Sequence, residues 1–214
     1  MTLVNQILDA NGLSPLAIFA AIQQTYPQAA LLESAAAHGA NRYSFIGIKS
    51  YAQIKTSNNQ TYKIINGVTT QHQEHPFNTL RTLNKTFPVI EDNMPATHAI
   101  GFMAYDAVRL FEEIPDRHMH DDLPDMLFTY YQTSLTYDHV NKKIKLTALC
   151  KDEASGQAAL NKLSTLLQAA KQFKPLHFDM TKTTSTSYLS DLDDAQYMHM
   201  VEQAKAYITK GDAF

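Results

Sequence analysis

Two periods of apolar residues run through this chain, a spacing of three to four and a spacing of two. Ser14-Pro15 reads as a helix start, because Ser can cap and Pro is tolerated at the first helical position. Leu16, Phe19 and Ile22 then recur every three residues and predict one buried face, and the helix has to end before Pro27. A short apolar strand follows over 29–33. Beyond Gly39 and Asn41, residues 43–48 and 51–56 read as strands, with a turn at Asn58-Asn59. Residues 62–65 and 68 onward, joined by Asn66-Gly67, predict a hairpin, since Asn-Gly suits the positive φ angles of a type I′ turn. Pro76 opens a second helix with Phe77, Leu80 and Leu83 on one face. Residues 98–111 read as strand then helix, with Gly101 at or near the switch. The runs 126–137 and 143–150 are rich in β-formers, and 138–142 joins them as another hairpin. A long helix over 154–171 carries an apolar stripe of Ala158, Leu160, Leu163, Leu166, Leu167 and Ala170. Asp193 or Asp194 caps a last helix, which Gly211 terminates.

Helices interspersed with hairpins, rather than strict strand–helix alternation, predict an α+β domain of mostly antiparallel sheet, with two packed sheets flanked by helices. The Ser- and Thr-rich stretch 174–190 reads as a linker or crossover. The expected division is therefore a domain over 1–173, the linker 174–190, and a short C-terminal piece, 191–214. After the Gly-capped helix, Asp212-Ala213-Phe214 looks like the beginning of a strand, so the chain is expected to be truncated there.

Composition narrows the function classes. The 214 residues are 44% hydrophobic and 18% charged, enough for a real core and against disorder. The net charge of −3 offers no basic field for nucleic acid. No apolar run reaches the roughly 18 residues a membrane helix needs, and Met1 to Gln6 has no signal-peptide character. The one cysteine, Cys150, lies in an apolar strand pattern and is read as a small core residue. A cytoplasmic location is the expectation.

Three segments could carry chemistry. Glu33-Ser34 ends an apolar strand; Ser34 could simply bond local backbone, or the pair could hold an α-amino acid through its ammonium group. Asp106, Arg109 and Glu112 stand three apart and would share a helix face, most simply as a structural ion-pair cluster. Arg117-His118-Met119-His120-Asp121-Asp122 has metal-ligand residue types but lies between Pro115 and Pro124 with no second cluster to close a site, which favours a solvated loop. No Gly-rich phosphate loop or nucleophile–base pair is present.

In order along the chain, Leu31-Leu32-Glu33-Ser34, Arg42-Tyr43-Ser44-Phe45-Ile46-Gly47 and Gly101-Phe102-Met103-Ala104-Tyr105-Asp106-Ala107-Val108-Arg109-Leu110-Phe111-Glu112 resemble the N-terminal half of anthranilate synthase component I, the large subunit. The segment from Tyr197 to Phe214 resembles the start of that family's catalytic domain. The resemblance covers nearly the whole chain. It implies a parent enzyme of tryptophan biosynthesis that converts chorismate and ammonia to anthranilate, inhibited by L-tryptophan. It implies that Leu32, Glu33 and Ser34 belong to the tryptophan pocket, with Tyr43, and Ser44 beside it, near a further pocket position. It implies Mg²⁺ held by carboxylates of the catalytic half, so no metal site in residues 1–214, and a glutamine amidotransferase subunit (component II) as partner. It assigns the Asp106–Arg109–Glu112 set no catalytic role, and no catalysis is expected of this chain alone. Two other readings stay open: a sister chorismate enzyme such as aminodeoxychorismate synthase component I, and a stand-alone, non-enzymatic amino-acid-binding module.

Overall fold

The computed structural model describes residues 2–34, 42–58, 60–86, 99–115, 123–173 and 189–214. The chain forms two compact units, residues 1–175 and 176–214. In the first unit the elements run β1 (Thr2–Asp9), α1 (Pro15–Gln23), β2 (Ala30–Leu32), β3 (Tyr43–Ser57), β4 (Gln60–Ile65), β5 (Val68–His72), α2 (Pro76–Asn84), β6 (Ala99–Met103), a 3-10 helix (Tyr105–Leu110), β7 (Met126–Asp138), β8 (Lys143–Cys150) and α3 (Glu153–Ala170).

All eight strands join one antiparallel sheet, in the order β1-β8-β7-β3-β4-β5, with β2 paired to β3 and β6 to β7. The α+β class holds, but the expectation of two packed sheets does not. The long strands β3 and β7 pair along nearly their whole length, so local hairpins are tied into one surface. Residues 43–48 and 51–56 are accordingly one strand with a bulge, not two. Tyr43–Gly47 pair with Asp138–Ser134, whereas Ala52–Thr56 pair with Tyr130–Met126 in a register displaced by one residue. One extra residue turns the strand over. Ile46 and Ile48 therefore pack into the cluster of α1 and α3. Ala52 and Ile54, at positions of the same parity, pack into the cluster that receives Leu83 of α2. These clusters occupy opposite faces of the sheet, since the neighbours Ala148 and Leu149 of β8 divide between them.

The hairpin at Asn66-Gly67 is present, with φ of 48° and 81° at its two central residues, the left-handed angles a type I′ turn needs. Helix α1 starts as expected, with Ser14 Oγ accepting from the Ala17 N–H at 3.2 Å. Its buried face is Ala17, Ile18, Ala21 and Ile22, however; Leu16 is exposed and Phe19 is half-buried. Spacing of three drifts around a helix of 3.6 residues per turn, whereas 18 and 22 stay on one line. In α3 the stripe is Gly156, Leu160, Leu163, Leu167 and Ala170, with Ala158 outside it. Helix α2 turns Leu83 inward with Phe77 and Leu80 packed beside it, as the spacing predicts.

In the second unit, α4 (Asp194–Lys210) is capped by Asp193, whose side chain accepts from the Gln196 N–H. It ends at Gly211 in the left-handed conformation, φ 80°. No described helix is long and apolar enough to cross a membrane.

Candidate ligand site around Ser34

Strand β2 is only three residues long and lies on the edge of β3, with Leu32 opposite Phe45. The chain then leaves the sheet, so Glu33 and Ser34 stand just past the last ladder pair, beside the first residues of β3. Leu32 is 49% exposed and Glu33 is exposed, whereas Ser34 is half-buried. The Ser34 N–H donates to Ser44 Oγ at 3.0 Å, and the Ser34 hydroxyl donates to the Tyr43 carbonyl at 2.6 Å. A carbonyl only accepts, so the direction of the second bond is settled. Both hydrogens of Ser34 are committed to the protein, and its hydroxyl oxygen is left to accept.

The structure thus brings Ser34 against the Tyr43 backbone and the Ser44 side chain. It adds two residues that the sequence gives no reason to place there. Ser44 is fully buried, and its Oγ lies 2.7 Å from Nε2 of His139, in the turn after β7. The His139 N–H donates to the Arg42 carbonyl at 3.0 Å, and its ring packs on Tyr137 with centroids 4.9 Å apart. Arg42 is held from the same turn: Nε and Nη2 donate to the two oxygens of Asp138 at 3.1 and 2.6 Å. Its guanidinium also lies 5.0 Å from the centre of the Tyr43 ring, within cation–π range.

Asp138 is the electrostatic anchor. Its side chain is 3% exposed, and the N–H groups of Val140 and Asn141 donate to it at 2.9 and 3.1 Å. Burial alone would raise its carboxyl, but the bonds from Arg42, Asn141 and Val140 outweigh that and hold it at about 2. The same pair raises Arg42, chiefly through the hydrogen bond to Asp138. The arrangement is a small polar cluster with the acceptor oxygen of Ser34 at its rim and the exposed Glu33 next to it in the chain.

The other sequence candidates are placed differently. Asp106 and Arg109 lie in a 3-10 helix, not an α-helix, with Arg109 Nε 3.4 Å from Asp106 Oδ1, and Glu112 falls past its end. Gly101 lies inside β6 opposite Phe128, so it does not mark the switch from strand to helix. The 3-10 helix is pinned to α2 by His75 Nε2 against the Leu110 carbonyl at 2.9 Å and by stacking of Phe77 on Phe111 at 4.7 Å. Those contacts support the structural reading of the segment. Residues 117–122 and nearly all of 174–190 lie outside the described residues. Cys150 is a free thiol, half-buried against the α1–α3 cluster.

The chain resembles known proteins in four comparisons. Residues 27–214 match the profile of chorismate binding enzymes. Anthranilate synthase component 1 of Bacillus caldotenax is 26% identical over 96% of this chain and 44% of its own length. The Thermus thermophilus protein of the same name is 24% identical over 94% of this chain and 43% of its own length. The chain thus spans less than half the length of these relatives. A crystal structure of anthranilate synthase component I from Streptococcus pneumoniae covers 83% of this chain and 40% of its own, with 26% identity and a TM-score of 0.49.

Proposed function

This chain belongs to the family of chorismate binding enzymes, and from that premise we propose that it is the N-terminal part of an anthranilate synthase component I whose Ser34 site binds L-tryptophan as a feedback inhibitor. One observation carries the ligand assignment. Ser34 has given both its hydrogens to Tyr43 and Ser44, so it meets a ligand as an acceptor alone. An ammonium group is three donors and no acceptor. Glu33, the next residue, adds a carboxylate on the exposed side. That pair suits the α-ammonium of an amino acid and disfavours an anionic head group, which brings only acceptors.

The complete protein would convert chorismate and ammonia to anthranilate and pyruvate, with ammonia supplied by a glutamine amidotransferase partner, component II. The names of the matching relatives support this reading. Among the described residues no group of three His, Cys, Asp or Glu side chains could hold a metal. In this reading the Mg²⁺ is held by carboxylates in the half of the protein that this chain does not span. The role proposed for residues 1–214 is regulatory. Tryptophan bound here would change chorismate affinity elsewhere in the protein, and chorismate must change tryptophan affinity by the same factor.

The test is a calorimetric titration of the chain with L-tryptophan, using L-leucine as control. Saturable heat with tryptophan alone is expected, and Ser34→Phe should remove it by filling the seat of the ammonium. Heat of dilution only, for both amino acids, would sink the assignment. In the full-length protein, incubation with chorismate and ammonia should yield anthranilate; accumulation of aminodeoxychorismate would move the protein to the sister enzyme.

A further inference from the structure

We infer that His139 is a positioning residue of the Ser34 site: through Ser44 it fixes the acceptor geometry of Ser34, and its protonation state sets the pH range over which an ammonium-bearing ligand binds. The inference rests on the proposal that Ser34 holds such a ligand. Neither the matching motifs nor the named relatives assign His139 a role.

Ser44 Oγ accepts from the Ser34 N–H at 3.0 Å and lies 2.7 Å from His139 Nε2. A hydroxyl has one hydrogen to give. In the Nδ1–H tautomer proposed for the neutral ring, Nε2 is bare and Ser44 gives its hydrogen to the imidazole. Three groups then point one way, from the Ser34 N–H through the Ser44 hydroxyl to His139, each polarising the next. In the imidazolium Nε2 carries a proton and has to donate, so Ser44 Oγ accepts from both sides and its own hydrogen must leave the line. The hold on the Ser34 backbone weakens, and a positive charge stands two hydrogen bonds from the place where the ligand brings another. Both effects oppose binding in acid.

The surroundings leave His139 little freedom. Its N–H is held by the Arg42 carbonyl and its ring lies on Tyr137. The charged or titratable groups that contacts place around it, among the described residues, are Tyr137, Arg42 and, through Arg42, Asp138 and Tyr43. Asp138 and Arg42 neutralise each other, and Asp138 also takes the N–H groups of Val140 and Asn141. The Tyr137 phenol is pushed up by burial and stays neutral where imidazoles titrate.

The experiment has two arms. In the first, the Ser34 amide resonance is followed by NMR between pH about 5 and about 8, the window of imidazole titration, in the wild type and in His139→Gln. It should titrate in the wild type and stay flat in the variant. In the second, L-tryptophan is titrated at the two ends of that window. The wild type should bind roughly tenfold more weakly in acid, the factor that one unit of coupled pKa produces. His139→Gln offers an uncharged acceptor and should bind equally at both pH values, while His139→Ala should be weak at both. Tryptophan binding that ignores pH in the wild type, or an unchanged pH slope in His139→Gln, overturns the inference and leaves the tryptophan reading standing. Absence of tryptophan binding at every pH overturns that reading, and this inference with it.

Discussion

Asp138 shows how one side chain can serve the fold and the site together. It closes the β7–β8 turn by accepting from Val140 and Asn141, and the same carboxylate grips Arg42 at the start of β3. A carboxyl held at about 2 lies below the ordinary aspartate value, so its contribution is present above the unfolded value and fades as pH falls through 2. The displacement corresponds to about 2 kcal/mol. Asp138→Asn should therefore lower stability to urea by about that amount at neutral pH, and the gap to wild type should close on acidification towards pH 2. A constant gap across the acid range would mean that packing, and not the charge, was lost. Residue-scale legibility was uneven. Glu33 and Ser34 could be picked out because a motif surrounds them. Asp138 and His139 sit in what reads as an ordinary hairpin turn. Ser44 and His139 are 95 positions apart, a separation no local pattern spans.

Among the elements, β6 depends on an absence of side chain. A Cβ on Gly101 would run into the Leu127 carbonyl and come within 2.7 Å of the Phe128 Cα, so β6 can lie against β7 only without one. Gly101→Ala is expected to cost about 1–3 kcal/mol, the usual range for overpacking, and to raise amide hydrogen exchange in β6 more than in β8. Gly47 plays a similar part at the β3 bulge, where a Cβ would enter the Tyr131 ring. Helix α3 begins with a capping box: Ser155 N–H donates to Asp152 at 2.8 Å, and the Ser155 hydroxyl faces the Asp152 N–H. Asp152→Ala should lower the thermal midpoint by removing the cap, with Asp152→Asn largely preserving it. Caps, the Asn-Gly turn and the ends of α3 were readable because each depends on a few neighbouring residues. The 3-10 winding of Tyr105–Leu110 was not, because its docking on His75 and Phe77 comes from α2.

The molecule as a whole can report on the proposed ligand through stability, since anything that binds only the folded state raises it by mass action. L-Tryptophan at about a hundred times its dissociation constant should add about 2.7 kcal/mol, seen as a rise in thermal midpoint that L-leucine does not reproduce. Ser34→Phe should abolish that rise. The α+β class, the hairpins, the helix caps and the family were all determined by the sequence alone, because each is written in residues close together or in a motif that keeps its order. Whether the strands form one sheet or two, which face each half of β3 presents, and what meets Ser34 were decided only in three dimensions. The bulge in β3 exchanges its faces halfway along, so alternation on one side of it predicts the wrong face on the other. Lys145 makes the same point: it alternates with Ile144 and Leu146 as a solvent-facing residue would, yet it is fully buried. Period two separates the faces of a strand, but what covers each face is settled by distant parts of the chain.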